Sequence, residues 1–407
     1  MKRVFGKLRR IVPYFLIPML SAVTPLMVVP VASAKYGAEG WTTIALAQSV
    51  GATAALLAEL GWGVSGPQRV PLLSQVHRKE LYRRSVGTRI TAVTALGLPV
   101  MLIAWLLCSA DRVGGCLIAL GSLSLALSPA WFFIGAGSPG KLLMTEGIPR
   151  LILVGASAAF IFLGFGLGWY GIALMTSVAS TLFFCGFFGR MGFANWSSNL
   201  VHIRSQSQIV VGRLISGSFT SFAPALLGVA APGSVPVFSA VDRLMRMSLN
   251  ILSGIPSRLQ SWLGAAQGDD LRNRSSASIR LNAALGLFAG FGFAVVSPSL
   301  AQLIFSGTIV FGYGLSCISG FLLFLICTSR GLGLSMVASG RANHITVSIV
   351  LSSVIGVPLL VVLAITLGPA GALLGQIAAE LVGIGVQGVI LMRKWRMDSL
   401  WNRFAMS

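Results

Sequence analysis

Charge is scarce in this chain, and negative charge scarcest of all. Asp, Glu, Lys and Arg make up 10% of the 407 residues, with 10 acids against 30 Lys and Arg. A soluble domain of this length could bury a core but would not leave its surface so bare of charge. The three histidines, His77, His202 and His344, lie far apart in basic loops. The five cysteines, Cys108, Cys116, Cys185, Cys317 and Cys327, sit in apolar runs and form no CxxC pair. Neither a metal site nor a disulfide framework is expected, and the cysteines read as small packing residues. There is no P-loop, no H-E-x-x-H and no nucleophile elbow. Catalysis is not expected.

What the chain has in quantity is apolar length. It is 55% hydrophobic, with a mean hydropathy of +0.85. Stretches of about 20 apolar residues recur from residue 11 to residue 392, each long enough to cross a hydrocarbon core of about 30 Å. The expected fold is an all-α polytopic membrane protein with about twelve transmembrane helices, near 11–33, 41–66, 90–109, 113–137, 148–167, 169–188, 209–231, 236–257, 280–298, 309–329, 345–367 and 370–392. The first of these follows a basic "MKRVFGKLRR" and precedes Ala32-Ser33-Ala34, which has the look of a signal-peptidase site. Its length and its prolines, among them Pro18 and Pro25, favour a membrane span instead.

A net charge of +20 would suit nucleic acid if the charges were clustered on a soluble face. They fall instead in alternate joints, so no nucleic-acid partner is expected. Joints such as "AKYGAEG", "APGSV" and "GPAG" are short and nearly uncharged, whereas "PQRVPLLSQVHRKELYRRSVGTR" and "RLQSWLGAAQGDDLRNRSSASIR" are long and basic. Only Lys35, Arg112, Arg243 and Arg246 fall outside the termini and the basic joints with their helix ends. By the positive-inside rule both termini lie in the cytoplasm, in a cytoplasmic (inner) membrane. A weak internal echo, "SGPQR" (65–69) against "SGIPSR" (253–258), suggests two six-helix lobes, residues 1–205 and 206–407.

The stretch "VFSAVDRLMRMSLN" (237–250) breaks the apolar pattern with Asp242, Arg243 and Arg246. Arginine at the centre of a membrane helix costs roughly 2.5–3.5 kcal/mol on insertion scales. At about 100° per residue, Ser239, Asp242, Arg243, Arg246, Asn250, Ser253 and Ser257 share about a third of the helix circumference. Such a stripe must face protein or water. A helix entered near Val237 places Arg246 about 13–15 Å deep. Two readings stand. Asp242 and Arg246 form a structural i,i+4 pair, or the stripe lines an anion-attracting cavity, since one acid cannot neutralise two arginines.

Other polar groups join these candidates. Gln48 and Glu59 lie on one face of the second helix, and Gln376, Glu380 and Gln387 on the twelfth. The glutamines suit interhelical hydrogen bonds of about 0.6–2 kcal/mol each. Glu59, Asp242 and Glu380 are candidates for charge pairing or for coupling to H+ or Na+. Arg213, about one turn inside the seventh helix, is either an interfacial anchor or a ligand contact. No cofactor is expected.

"YGAEGWTTIALAQSV", "AELGWGVSGPQR", "GSVPVFSAVDRLMRMSLNILSGIPSRL" and "SGRANHI" (339–345) together resemble Wzx-type polysaccharide flippases. These share a superfamily with the multidrug and toxin extrusion (MATE) transporters and the lipid II flippase. The resemblance implies two lobes around a cationic cavity that passes an undecaprenyl-pyrophosphate-linked oligosaccharide between leaflets by alternating access. It would give the substrate-binding role to Arg243, Arg246, Asn250, Arg213 and Gln48, and it implies a lipid-linked glycan substrate, the bilayer and polysaccharide polymerase or export proteins as partners. Two other classes stay open: a MATE-type multidrug or cation antiporter, and an integral membrane glycosyltransferase or polymerase, which would usually carry an outer domain that no joint here is long enough to form.

Overall fold

A computed structural model describes residues 2–188, 221–252 and 259–404, apart from 260, 261, 264, 265 and 267. Among the described residues there is no strand, and eight helical segments are long and apolar enough to cross a membrane. The chain is a polytopic all-α membrane protein. Each of the twelve expected spans is mostly helical where it is described, with breaks such as the turn at 59–61 inside the second and the non-helical start of the tenth at 309–312; the seventh is described only from residue 221 and the eighth only to residue 252.

The chain divides into two compact units, Met1–Val229 with Leu303–Thr308, and Ala230–Gln302 with Ile309–Ser407. The first unit contains α1 (Lys2–Ala58), α2 (Trp62–Arg69), α3 (Gln75–Leu107), α4 (Arg112–Ser124), α5 (Ala130–Gly135), α6 (Pro139–Leu142), α7 (Ile148–Leu163), α8 (Gly168–Phe183) and most of α9 (Ala223–Ala230). The second holds α10 (Val235–Leu252), α11 (Gly268–Ile304, but for its last two residues), α12 (Tyr313–Ala338) and α13 (Ala342–Phe404).

The short neutral joints are shorter in the structure than the sequence pattern predicts. "AKYGAEG" is helical except at Gly37 (φ 64°, ψ −157°), and "GPAG" is helical except at Gly368 (φ 63°, ψ −143°). That backbone region is open only to glycine. One glycine therefore ends one span and starts the next, within α1 and again within α13.

Helix α4 forms the middle of the first unit and packs on α1, α3 and α8. Its Ile118, Ala119 and Leu123 are fully buried. On α3, by contrast, Leu98, Leu102 and Leu106 are 60–76% exposed, as expected of a helix whose outer face meets lipid. Glycines set the closest crossings, since lipid supplies no hydrophobic drive between helices and small residues let backbones approach. A Cβ on Gly171 of α8 would stand 2.2 Å from the Leu117 backbone of α4, and one on Gly290 of α11 would stand 2.3 Å from the Gly320 carbonyl of α12. In the first unit the Ser49 hydroxyl of α1 donates to the Ser221 carbonyl and accepts from the Ala225 amide, fastening α9 to α1. Cys108, Cys116, Cys185 and Cys327 are buried, as small packing residues should be, while Cys317 is exposed.

A side chain at these crossings forces helices apart, and overpacking typically costs about 1–3 kcal/mol. Gly171→Val should therefore lower the melting temperature of the detergent-purified protein. Gly292→Val, where nothing lies within 4 Å of the added Cβ, should leave it unchanged. Equal melting of the two variants would contradict the packing described.

Candidate functional site

In the second unit α10 carries the charged stripe. Its packed face holds Phe238, Ala240, Val241, Leu244, Met245 and Leu249, with Ser239 and Asp242 buried among them. Arg243 and Arg246 are half-buried, and Asn250 is exposed. Asp242 takes a bidentate pair from Arg246, with Nε to Oδ2 at 2.7 Å and Nη2 to Oδ1 at 2.9 Å. The i,i+4 pair exists, and it occupies both oxygens of Asp242, so on this helix two arginines face one acid. Ser253 and Ser257 of the expected stripe lie outside the described residues, as does Arg213.

A further arginine belongs to this group and escaped the sequence pattern. The tenth span was expected to end at residue 329, which placed Arg330 among the basic helix ends. Helix α12 instead runs to Ala338, so Arg330 lies about 12 Å before its end. The signal was present in "GLGLSMVA" (331–338), which continues the apolar helix past the charge. Arg330 reaches the Leu249 carbonyl near the end of α10 at 3.5 Å, a long and weak hydrogen bond. It also lies within electrostatic reach of Glu380 on α13, which hydrogen-bonds the Ser329 hydroxyl. The cluster thus joins α10, α12 and α13, and its three arginines outnumber Asp242 and Glu380.

Gln387 donates to the Ser348 hydroxyl, which donates to the Gly383 carbonyl, so this glutamine ties the two halves of α13 together. Gln376 is buried, and its Oε1 has no hydrogen-bond partner among the described residues.

Gln48 and Glu59 belong to the first unit. The Gln48 amide donates to the Tyr170 hydroxyl of α8 at 2.9 Å, the interhelical bond expected of a membrane glutamine. Glu59 stands where α1 ends. The next residue, Leu60, has φ 50°, followed by Gly61 at φ 72°. A non-glycine residue in this region costs about 1–3 kcal/mol and recurs at functional sites. Beside it is a cavity of ≈ 380 Å³, lined by Glu59, Ser122, Ser128, Trp131 and apolar side chains.

Behind that cavity lies another buried cation. Arg89 was counted with the basic joint, yet it is fully buried, because α3 starts at Gln75 and every residue from Ser85 to Arg89 packs inward. Its Nε donates to the Ser85 carbonyl, and its Nη1 to the Ala126 and Ser128 carbonyls at 2.8 Å each. Those two carbonyls end the α4 segment, so Arg89 staples α3 to it. Glu59 and Glu146 lie within electrostatic reach of Arg89. Glu146 accepts from the Ser128 hydroxyl and from Arg150 Nη2 at 2.6 Å. An aromatic cluster of Trp62, Tyr82, Trp131, Phe132 and Phe133 closes this end of the unit.

No protein-family model matches the chain, and no curated protein sequence does. Solved structures do match across almost its whole length. A multidrug-resistance transporter of the MATE family, in the MOP superfamily, solved in an inward-facing conformation, is 15% identical with a TM-score of 0.68, over 95% of this chain and 98% of its own. The outward-facing conformation of such a transporter gives 16% and 0.53, over 96% of each chain. A MOP-superfamily transporter from Pyrococcus furiosus, described as having a binding pocket of reversed polarity, gives 14% and 0.54, over 96% of this chain and 94% of its own. The chain has the MATE transporter fold. At this identity the likeness concerns the path of the backbone and leaves the substrate to the side chains.

The Arg89 staple has a measurable consequence. Removing a buried cation leaves acceptors and acids without it, a loss on the order of 3–5 kcal/mol. Arg89→Gln should lower the melting temperature markedly, while Lys79→Gln, on the exposed side of the same helix, should change it little. Equal melting of the two variants would show that the staple carries no stability.

Proposed function

We propose that this protein is an inner-membrane flippase that moves a polyprenyl-pyrophosphate-linked oligosaccharide from the cytoplasmic to the outer leaflet, with both termini in the cytoplasm. The observation that supports it is the sign of the second unit's polar cluster. Arg243, Arg246 and Arg330 stand against Asp242 and Glu380, on helices that pack together within a membrane-embedded unit. Burying ions is costly, and a net positive group inside a membrane protein is stable only with an anion at hand. Arginine suits a pyrophosphate because its planar fork donates paired hydrogen bonds, which strengthen where water is excluded.

In this reading Arg243 and Arg246 receive the pyrophosphate, Arg330 adds charge from α12, and Asn250 offers an amide on the exposed end of the stripe. Arg213 and Gln48 stay proposed contacts. Asp242 holds Arg246 in a fixed orientation, and Glu380 lies within electrostatic reach of Arg330. Proton or sodium coupling is assigned to Glu59, Asp242 and Glu380. The polyprenyl tail stays in lipid, and polysaccharide polymerase or export proteins take up the product.

The second reading is a multidrug or cation antiporter, favoured by the MATE transporters whose fold the chain shares. A carrier of organic cations calls for an acidic site, and the second unit's excess is basic. The Pyrococcus furiosus transporter, whose reversed pocket polarity is said to suggest a different function, illustrates that pocket polarity differs among proteins of this fold.

Cells lacking the protein should accumulate the lipid-linked oligosaccharide on the cytoplasmic leaflet, and the wild-type gene should relieve that accumulation. The Arg243→Ala/Arg246→Ala double variant should fail to relieve it while reaching the membrane in normal amount. No accumulation in the deletion strain contradicts the flippase reading. Full relief by the double variant contradicts the arginine site alone.

A further inference from the structure

We propose that the joint between α11 and α12 carries a releasable latch, in which Phe305 and Ser306 seat against Pro30 and Trp41 of α1 and leave that seat during transport. The proposal requires only that the chain be a transporter, whatever its cargo.

The division of the chain points to this joint. Leu303–Thr308 cluster with the first unit, while the stretches on either side, Ala230–Gln302 and Ile309–Ser407, belong to the second. A short tip carried on second-unit helices is therefore seated in the first. The joint, "SPSLAQLIFSG" (297–307), is one of the neutral ones, as is "AKYGAEG" around the Gly37 bend of α1 that it meets.

The tip is built as a preformed hook. Ser306 and Gly307 have φ of 50° and 72°, the two positive values that a tight type I′ turn requires. The amide and the hydroxyl of Thr308 both donate to the Phe305 carbonyl, at 3.0 and 2.6 Å, and close the turn. A serine in the left-handed region is strained, and such residues cluster at clamps and switch regions. From this turn the Ser306 hydroxyl donates to the Pro30 carbonyl at 3.0 Å. The Phe305 ring is fully buried and meets Trp41 edge-on, with centroids 4.9 Å apart. Leu303, two residues earlier, is 75% exposed, so the seat is specific to the tip. Pro30 and Trp41 lie on either side of Gly37, and the hook thus holds both arms of the α1 bend.

Two features suit this hold to release. The turn keeps its shape through the Thr308 bonds, so unseating it requires no refolding. The grip itself is one apolar side chain and one exposed hydrogen bond, whereas the Arg89 staple has three hydrogen bonds to backbone carbonyls. Transporters built on repeats work by moving one half against the other. A tip that rides on the helices of one unit and seats in the other has to unseat in such a motion, and a weak, preformed hook can do so repeatedly.

The test uses the full chain with its five native cysteines replaced. In lipid nanodiscs, Phe305→Cys should react with a maleimide at least about tenfold more slowly than Leu303→Cys, since a minor open state is populated at about 0.1–10%. It should still react to completion, and Ser306→Ala should speed it. Separately, a Trp41→Cys/Phe305→Cys pair is bridged by a short reducible cross-linker in sealed vesicles that hold a fluorescent polyprenyl-pyrophosphate-linked disaccharide or a fluorescent organic cation. Whichever cargo the unbridged protein moves, bridging should stop it and reduction should restore it. Pro30→Cys with Ser306→Cys serves as the pair if the first does not fold. Transport at the unbridged rate by bridged protein would show a fixed clasp and overturn the latch. So would labelling of Phe305→Cys as fast as Leu303→Cys, or no labelling while transport proceeds. The outcomes separate the two readings: arrest of cation movement by the bridge upholds the latch and sinks the flippase, and lipid movement that the bridge leaves untouched does the reverse. If neither cargo moves, the labelling rates decide.

Discussion

Arginine cannot lose its charge inside a membrane protein, so each buried guanidinium dictates what must surround it. This chain meets that demand in two ways. Arg89 is answered by backbone carbonyls of the Ser85 turn and of the α4 end, an arrangement that fixes helices and leaves little of the cation on offer. Arg246 is answered by the carboxylate of Asp242 on its own helix and keeps 34% of its side chain exposed. The first is a fastening. The second is an oriented cation with surface to spare, flanked by Arg243 and within a helical turn of the carbonyl that Arg330 reaches.

The sign of charge separates the two units chemically. Among its described residues the first brings Arg89 and Arg150 near Glu59 and Glu146. The second collects three arginines and two acids along α10, α12 and α13. The shared MATE fold does not choose between the two kinds of cargo, because the backbone sets where side chains are placed and the side chains decide what is bound.

The helices were legible because transfer free energy is written directly in composition. A run of about 20 apolar residues has few fates other than crossing a bilayer. The Asp242–Arg246 pair was legible from its spacing of four. Arg89 and Arg330 were not. Hydropathy reports where apolar residues stop, whereas a helix stops where its hydrogen bonds and caps do. Helix α3 begins well before its apolar run, and α12 continues past a charge. Arg89 was therefore counted with a basic joint and Arg330 with a helix end, although each lies well within a helix. The cavity was hidden for another reason: Glu59, Ser122 and Trp131 are brought together by packing among segments far apart in the chain, and no local pattern encodes that meeting.

The most direct measurement places the purified protein in sealed vesicles whose inner or outer leaflet is loaded with a fluorescent polyprenyl-pyrophosphate-linked disaccharide, beside vesicles loaded with a fluorescent organic cation. Leaflet exchange is read by quenching with a membrane-impermeant reagent. Wild-type protein should move the lipid-linked sugar between leaflets and leave the cation where it was loaded, and Arg243→Ala/Arg246→Ala should abolish the exchange. Movement of the cation with no exchange of the lipid would contradict the account.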